Sequence, residues 1–451
     1  MTRRSTIQLI HLVLALLVAG SGYASQGLFT GATLETQIDL GEDAASAIRT
    51  RFVEVDLGQI ESATGVAAPT LVLNLFPDSV FTARLDRAGS TVSGGRYWTG
   101  HLKEISSGTV SLVLRDGALT GSVNTGEALF QIRHLRDGVH SVREADPASF
   151  AQELEPIEVS GAGADLPKAV EVLDDGSNID ILVVYTPTAR DNAGGTTAIK
   201  NLIDLAVVES NQSYANSGIS QRLSLGDVQE VAYSEVGFNW STTLSRLRGT
   251  SDGYMDNVHG QRDASCADAV VLIVGSSTSC GIGYLMTTVS PGFEDAAFSV
   301  VSYNCATGYY SFAHELGHNM GARHDWYVDD STTPYAHSHG FVNAPDQWRT
   351  IMAYNSECSD AGPNCTRLQY WSNPLVSFGG DPMGVPAGTS TACIEGNPAP
   401  GCDADNHLTL DKTTSTFANF RDSSSCGGLT DIFEDGFESG DTTSWTSTVS
   451  N

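Results

Sequence analysis

The chain has 451 residues, of which 41% are hydrophobic, and it carries a formal net charge of −29 at pH 7. No basic stripe interrupts this acidity, so nucleic acid and anionic membrane surfaces are not expected as partners. The length suggests two or three domains and ample residues for a large core.

Residues 1–24 have the features of an export signal. Arg3 and Arg4 form a basic start, and the mostly apolar run at residues 7–20 is too short to span a bilayer as a mature helix. A cut after Ala24 would follow small residues. The sequence therefore predicts a secreted, extracellular protein, monomeric and without a membrane span in its mature form.

Residues 25–170 are predicted to be a small β-rich propeptide that ends in an acidic connector. Strands are expected at residues 51–57, 70–76, 109–115 and 128–133, with turns at Asp116-Gly117 and Asp137-Gly138. From residue 152 to 178 the chain is acidic and rich in Gly and Pro, as in a flexible linker. A permanent non-catalytic domain is the alternative to a propeptide.

Strands and helices alternate in residues 171–426, which favours a second domain with a mixed α/β sheet. Strands are predicted at residues 178–187, 222–233, 269–274, 280–286 and 298–303, and helices at 196–217, around 244–258 and at 406–421. Residues 427–451 form an acidic tail without Lys or Arg, which is expected to be disordered. Its carboxylates are candidate calcium ligands.

The pattern His-Glu-x-x-His-x-x-Gly-x-x-His-Asp occupies residues 314–325. His314 and His318 are four residues apart, so on a helix both imidazoles leave the same face one turn apart. Gly321 can end the helix in the left-handed conformation and return His324 as a third ligand. Three neutral imidazoles that leave a fourth position for water are the arrangement of a catalytic zinc site.

Glu315 is placed beside that water position without being a ligand. It can take a proton from the attacking water and pass it to the leaving amine of a cleaved peptide. We therefore predict a zinc-dependent endopeptidase that acts on proteins or peptides. The alternatives are a zinc-stabilised binding or adhesive domain, which would not need this base, and a hydrolase of cell-wall peptides.

The zinc motif resembles that of the metzincin endopeptidases, and Asp325 after the third histidine is similar to the adamalysin/reprolysin branch. The resemblance covers about residues 179–421 and implies an α/β catalytic domain with a mixed twisted sheet and an active-site helix. Residues 350–354 resemble the Met-turn, in which Met352 forms an apolar floor beneath the zinc. In astacin- and serralysin-like metzincins, a tyrosine at the position of Tyr354 ligates zinc or hydrogen-bonds the tetrahedral intermediate; core packing is the alternative.

The same resemblance implies roles for two segments near the motif. Residues 280–286 resemble the edge strand that lines the substrate cleft, with an ordinary loop-to-strand segment as the alternative. Residues 370–374 resemble the loop that shapes the pocket for the side chain after the scissile bond. Thr307 is a candidate N-cap of the zinc helix, and Phe312, Leu316 and Met320 form its buried stripe.

All eight cysteines lie between Cys266 and Cys426, and an even number behind an export signal predicts four disulfides. Short-range closure favours Cys358–Cys365 and Cys393–Cys402. Resemblance to adamalysins suggests Cys305–Cys426, which leaves Cys266–Cys280. Residues 25–178 contain no cysteine, so the propeptide thiolate that silences many similar proteases cannot act here. Steric cover is favoured instead, with a carboxylate ligand as the second possibility.

Overall fold

A computed structural model describes residues 27–32, 46–63, 69–105, 107–159, 178–362, 364–389, 393–396 and 401–422. The predicted export signal, the acidic tail with its candidate calcium ligands, and Cys426 lie outside these residues. So does the connector from residue 160 to 177. None of the described helices is long and apolar enough to cross a membrane.

The first sheet contains nine antiparallel strands of the described chain. They are β1 (Phe29–Gly31), β2 (Ala47–Val55), β3 (Thr70–Phe76), β4 (Ser79–Ser90), β5 (Arg96–Leu102), β6 (Thr109–Arg115), β7 (Ala118–Asn124), β8 (Leu129–Arg136) and β9 (Val139–Ala145), in the spatial order β1-β2-β9-β8-β7-β6-β5-β4-β3. A short helix, α1 (Leu57–Ala63), follows β2. Two of the predicted strands have the observed bounds, and each of the other two differs from its prediction by one to four residues at both ends.

The Asp-Gly turns explain two of the hairpins in this sheet. Asp116 and Gly117 have φ angles of +48° and +80°, and Asp137 and Gly138 have +51° and +77°. Paired positive φ angles are those of the tight type I′ turn, which matches the twist of antiparallel strands. One face of the sheet packs its own core, which includes Leu73, Trp98 and Val142. Every residue of β7 is buried, so the other face is covered as well.

The second sheet is mixed, as predicted. Its strands are β10 (Ile157–Val159), β11 (Asn178–Tyr185), β12 (Arg222–Glu230), β13 (Ala269–Val274), β14 (Gly281–Met286) and β15 (Phe298–Ser302), in the order β10-β14-β15-β13-β11-β12. The neighbours run parallel except β14 and β15. The predicted edge strand β14 is thus antiparallel to its inner neighbour, and β10 from the connector covers its outer side. The start of the connector is therefore held in a strand and is not a free linker.

Seven helices of the described chain accompany this sheet, and most of them contribute to the second core. They are α2 (Pro187–Ala193), α3 (Thr196–Asn216), α4 (Trp240–Arg248), α5 (Asn257–Ala264), α6 (Ser311–Asn319), α7 (Ser356–Ala361) and α8 (Asn406–Phe417). The single helix predicted around residues 244–258 is wrong: two helices flank a break that contains Gly253 and Met255, with φ angles of +86° and +55°. The closing helix, α8, ends at Phe417, four residues before its predicted end.

Short strands build the segment that follows the zinc helix. They are β16 (Val342–Asn343), β17 (Trp348–Arg349), β18 (Thr366–Arg367), β19 (Asn373–Phe378) and β20 (Asp381–Met383). The central strand β17 pairs with β16 in antiparallel and with β18 in parallel orientation. This small sheet matters for the site because it places two arginines, Arg349 and Arg367, in the interior.

The disulfides confirm two predicted pairs and correct the other two. Cys358–Cys365 and Cys393–Cys402 are formed as short-range closure predicts. Cys305 is bonded to Cys280 rather than to Cys426, which also excludes the predicted Cys266–Cys280 pair. The cause is topological: β14 and β15 are neighbours, so the residue that precedes β14 meets the loop that follows β15.

Candidate active site

Helix α6 holds the first two histidines of the motif in fixed orientations. His314 and His318 are completely buried. The Nδ1 atoms lie 2.9 Å from the carbonyl oxygen of Ile351 and 2.8 Å from that of Ala322, respectively. A carbonyl oxygen only accepts hydrogen bonds, so each Nδ1 carries the proton and each Nε2 keeps a lone pair for a metal.

The third histidine returns through the predicted turn. Gly321 has φ = +87°, and a Cβ at this position would lie 2.8 Å from Cγ of Pro334, so the turn requires glycine. The Nε2 of His324 lies 3.2 Å from that of His314 and 3.1 Å from that of His318. Two nitrogens bound at about 2.0–2.1 Å to a tetrahedral zinc ion are about 3.3–3.4 Å apart. The three imidazoles, which could hold one metal ion, therefore fit zinc.

Burial keeps the first two imidazoles in the form that binds metal. It lowers the pKa of His314 to about 3 and holds the pKa of His318 well below its ordinary value. Only a neutral imidazole offers a lone pair, so desolvation removes the competition between proton and metal at these nitrogens.

Glu315 lies next to the histidines without a partner of its own. Its side chain is buried, and neither carboxylate oxygen has a hydrogen-bond partner among the described residues. Burial, and next the charge of Glu153, raises the pKa of Glu315 well above its ordinary value. Two glycines of β14 make the space for it: a Cβ on Gly281 would lie 2.4 Å from Glu315 Oε1, and one on Gly283 would lie 3.1 Å from Oε2.

The helix itself begins later than the predicted N-cap. It starts at Ser311 after Tyr310, which adopts a left-handed conformation with φ = +64°. Thr307 is not the cap, because it lies before this turn and serves the first sheet instead: its hydroxyl accepts from Arg133 at 2.6 Å. The predicted buried stripe of Phe312, Leu316 and Met320 is confirmed, since all three side chains have no exposed surface.

Asp325 ties the zinc motif to the predicted Met-turn. Its Oδ2 accepts from the backbone N–H of Tyr354 at 2.7 Å, and its Oδ1 accepts from that of Tyr327 at 3.0 Å. Met352 is buried below the helix, where a Cβ on Gly317 would lie 2.8 Å from its sulfur. The floor and the helix therefore approach as closely as glycine allows.

Comparison with known proteins bears on this geometry. A family model described as metallo-peptidase family M12 matches residues 175–372. The chain is 34% identical over 441 residues to the peptidyl-Asp metalloendopeptidase of Stenotrophomonas maltophilia (strain R551-3), with 91% of this chain and 97% of that protein covered. The peptidyl-Asp metalloendopeptidase of Xanthomonas campestris pv. campestris is 33% identical, with 92% and 98% covered. The chain belongs to metallopeptidase family M12.

Membership of this family makes the chain a zinc metalloendopeptidase, a hydrolase of peptide bonds, as the motif predicts. The predicted resemblance to metzincins of the reprolysin type is confirmed as well. Metalloproteinase-II from Bacteroides fragilis aligns with 61% of this chain, but its TM-score of 0.39 and identity of 14% are too low to add to the argument.

The connector of this M12 peptidase runs directly past the histidines. Glu153 is buried, and its carboxylate receives Nη1 of Arg367 at 2.5 Å, Nη2 of Arg367 at 2.9 Å and the hydroxyl of Ser311 at 2.6 Å. Its backbone carbonyl accepts from the hydroxyl of Tyr354 at 2.7 Å. The ring of Tyr354 lies 4.0 Å from that of His324, between centroids. The tyrosine therefore reaches from the metal site to the connector.

Two further acidic residues of the same segment lie against the zinc motif, and one of them forms an ion pair with it. Oε2 of Glu155 lies 3.4 Å from Nδ1 of His324. Glu158 accepts from Arg323 at 2.6 Å, and Arg323 also donates to Asp329 at 2.9 Å. Because Arg323 precedes the third histidine, this pair fixes the connector to the turn of the zinc motif.

The sequence predicts the histidines, Glu315 and Tyr354 as site residues, and the structure brings these five side chains together. The sequence does not identify Glu153, Ser311 or Arg367 as site residues. The sequence predicts an acidic, flexible connector and gives a carboxylate ligand as a second possible means of inhibition, but it does not single out Glu153. No local motif marks Arg367, because its partners are more than 50 residues away in the chain.

Proposed function

We propose that this chain is the precursor of a secreted zinc endopeptidase that cleaves proteins next to aspartate residues. The observation that carries the catalytic part is the convergence of three Nε2 atoms beside buried Glu315, whose carboxylate has no hydrogen-bond partner among the described residues. The preference for aspartate is taken from the peptidyl-Asp metalloendopeptidases that the chain resembles along its length. Three disulfides among the described residues are consistent with export to an oxidising compartment.

The residues divide the reaction among them. His314, His318 and His324 would hold zinc, which when bound supplies a Lewis acid and an acidified water. Glu315 accepts a proton from the attacking water and delivers it to the amine nitrogen as the C–N bond breaks. The hydroxyl of Tyr354 donates to the carbonyl oxygen on which negative charge develops. Its bond to the carbonyl oxygen of Glu153 is the observation that supports this role.

The direct test uses protein secreted and processed by its own host. It should cut a denatured protein, and mass spectrometry of the products should place aspartate beside most cleaved bonds. A chelator should stop cleavage and added zinc should restore it. Failure of zinc-loaded, folded enzyme to cut any substrate would reject the proposed function.

Replacing His318 by alanine should reduce zinc affinity by at least about 10²-fold, because one of three ligand nitrogens is lost. Metal analysis after dialysis checks this directly. His407, which lies on α8 in ion-pair distance of Asp405 and Asp411, provides the matched control as His407→Ala. One equivalent of zinc still tightly held by His318→Ala would reject His318 as a ligand.

Replacing Tyr354 by phenylalanine should lower kcat by about 10–10²-fold, with kcat/KM falling in parallel, since the lost hydrogen bond acts in the transition state. Steady-state kinetics on a peptide substrate measure both constants. Tyr254→Phe, at a side chain that is 43% exposed, is the control. An unchanged kcat in Tyr354→Phe would leave the tyrosine with a packing role only.

The first sheet and the connector together are proposed to be a removable propeptide. The first sheet contacts α3 through polar groups: Asp204 accepts from Thr91 at 2.7 Å, from Ser93 at 2.6 Å and from Arg115 at 2.5 Å. Charged groups of this kind can be hydrated after separation, which suits two parts that come apart. The sheet also has its own hydrophobic core. A permanent domain remains the alternative, and the test of latency decides between them.

A further inference from the structure

Arg367 is a buried cation whose partner comes from outside the catalytic sheet and helices. Its side chain is 2% exposed, that of Glu153 is 0% exposed, and the two make a bidentate pair. Arg367 stacks over Tyr309 at 4.3 Å from the ring centroid and donates to the backbone oxygen of the same tyrosine at 3.1 Å. The guanidinium is thus held in place by its own domain, with its two outer nitrogens aimed at the connector.

A second arginine increases the positive charge at this place. Arg349 is buried; its Nη2 donates to the hydroxyl of Tyr309 at 3.0 Å, and its Nη1 donates to the backbone oxygen of Ala353. These partners are neutral, so none of them offsets the positive charge of Arg349. Burial, and next the charge of Arg367, lowers the pKa of Arg349. Departure of Glu153 would leave two buried cations facing a polar site, which strongly favours a replacement anion.

The location of this charge relates it to the reaction. Ser311, which donates to Glu153 at 2.6 Å, is the first residue of α6 and lies three residues before His314. The residue after Glu153 donates from its backbone N–H to the carbonyl oxygen of Gly281 at 2.9 Å, and Tyr354 donates to the carbonyl oxygen of Glu153 itself. Glu153 therefore lies on the edge of β14 as an extended peptide would, with its backbone beside the zinc site and its carboxylate in the arginine pocket.

We propose that Arg367 and Ser311 are the specificity-determining residues of this protease, and that they bind the side-chain carboxylate of a substrate residue adjoining the scissile bond. Glu153 occupies the same pocket in the precursor and stands in for that substrate carboxylate. The proposal rests on the proposed endopeptidase function and names the residues that would give it a preference for acidic side chains. A planar guanidinium matches a carboxylate with two hydrogen bonds, and lysine cannot reproduce this geometry.

The experiment uses enzyme freed of its N-terminal region by proteolysis, and four fluorogenic peptides that differ at one position: Asp, Glu, Asn or Ala. Wild type should have a kcat/KM for Asp about 10²-fold or more above that for Asn, because the site's buried charge would be unpaired with the amide. Arg367→Met should bring this ratio to within about threefold of one, and Ser311→Ala should lower it several-fold. Arg190→Met, which removes a surface ion pair with Glu230, should leave the ratio unchanged.

A second measurement follows inhibition and does not require the enzyme variants to cleave acidic substrates. A synthetic peptide with the sequence of residues 150–159 should inhibit the wild-type enzyme's cleavage of the Ala peptide, and Glu153→Gln in that peptide should weaken inhibition about 10²-fold. Against the enzyme variants Arg367→Met and Ser311→Ala, Glu153→Gln in the peptide should weaken inhibition much less. This smaller difference would support binding of the Glu153 carboxylate by Arg367 and Ser311.

The outcomes separate the two claims. If wild type cuts none of the four peptides, the proposed endopeptidase function fails. If wild type prefers Asp but both variants keep the wild-type ratio, the function stands and the pocket assignment is overturned. Should Arg367→Met not fold, as judged by its zinc content and thermal unfolding, Ser311→Ala decides: an unchanged ratio together with unchanged inhibition overturns the proposal.

Discussion

Replacing Glu315 by glutamine is expected to lower kcat by about 10³–10⁴-fold while zinc content and fold stay unchanged. General acid–base catalysis contributes about 10²–10⁴-fold to such reactions, and Glu315 would be used twice, first as base and then as acid. The glutamine has the same shape and fills the space left by Gly281 and Gly283. Neither carboxylate oxygen has a hydrogen-bond partner among the described residues, so the substitution breaks no hydrogen bond that the structure describes.

Three measurements on processed enzyme check this result: the rate on a peptide substrate, metal content, and the midpoint of thermal unfolding. Glu230→Gln, at a partly exposed side chain paired with Arg190, is the matched control. A rate for Glu315→Gln within tenfold of wild type would show that another group serves as base. Loss of zinc together with activity would instead point to Glu315 as a ligand.

The parts of the fold that could be predicted are those specified by neighbouring residues. The apolar run at residues 269–274 has the length and the β-branched composition of a buried strand, and the Asp-Gly pairs specify their hairpins through the backbone conformations they permit. The zinc site belongs to the same class. Its histidines, the turn glycine and Glu315 all lie within eleven consecutive residues, so helix geometry and the turn at Gly321 bring them close.

The parts that could not be predicted depend on which distant segments meet. Cys280 finds Cys305 because β14 and β15 are neighbours, and sequence spacing does not contain that order. In the same way, acidity and glycine content in the connector are compatible with a free linker. Only the position of β10 on the edge of β14 shows that its carboxylates face Arg367, His324 and Arg323. The roles of the site residues in catalysis remain predictions that the variants test.

The precursor comprising residues 25–451 is expected to be latent, with activity about 10²-fold or more below that of processed enzyme, because the tethered connector has a high effective concentration at the site. Residues 157–159 pair with β14, the backbone N–H of Leu154 donates to the carbonyl oxygen of Gly281, and Glu153 pairs with Arg367. Mercurials, which activate precursors by capturing a thiol, should have no effect, since residues 25–178 lack cysteine and free cysteines are absent from the described part of the chain.

Activation by proteolysis should show a particular dependence on dilution. A cut between residues 160 and 177 leaves Glu153 on the released fragment, which still fits the site but is no longer tethered. Activity should therefore rise slowly after the cut, and further on dilution or when the fragment is degraded.

Glu153→Gln should make the uncut precursor partly active, because it replaces the buried ion pair with Arg367 by a weaker contact. Glu127→Gln, at an exposed residue of the same domain, is the control and should remain latent. Full activity of intact, uncut wild-type precursor would show that residues 25–150 are a permanent domain and not an inhibitory propeptide.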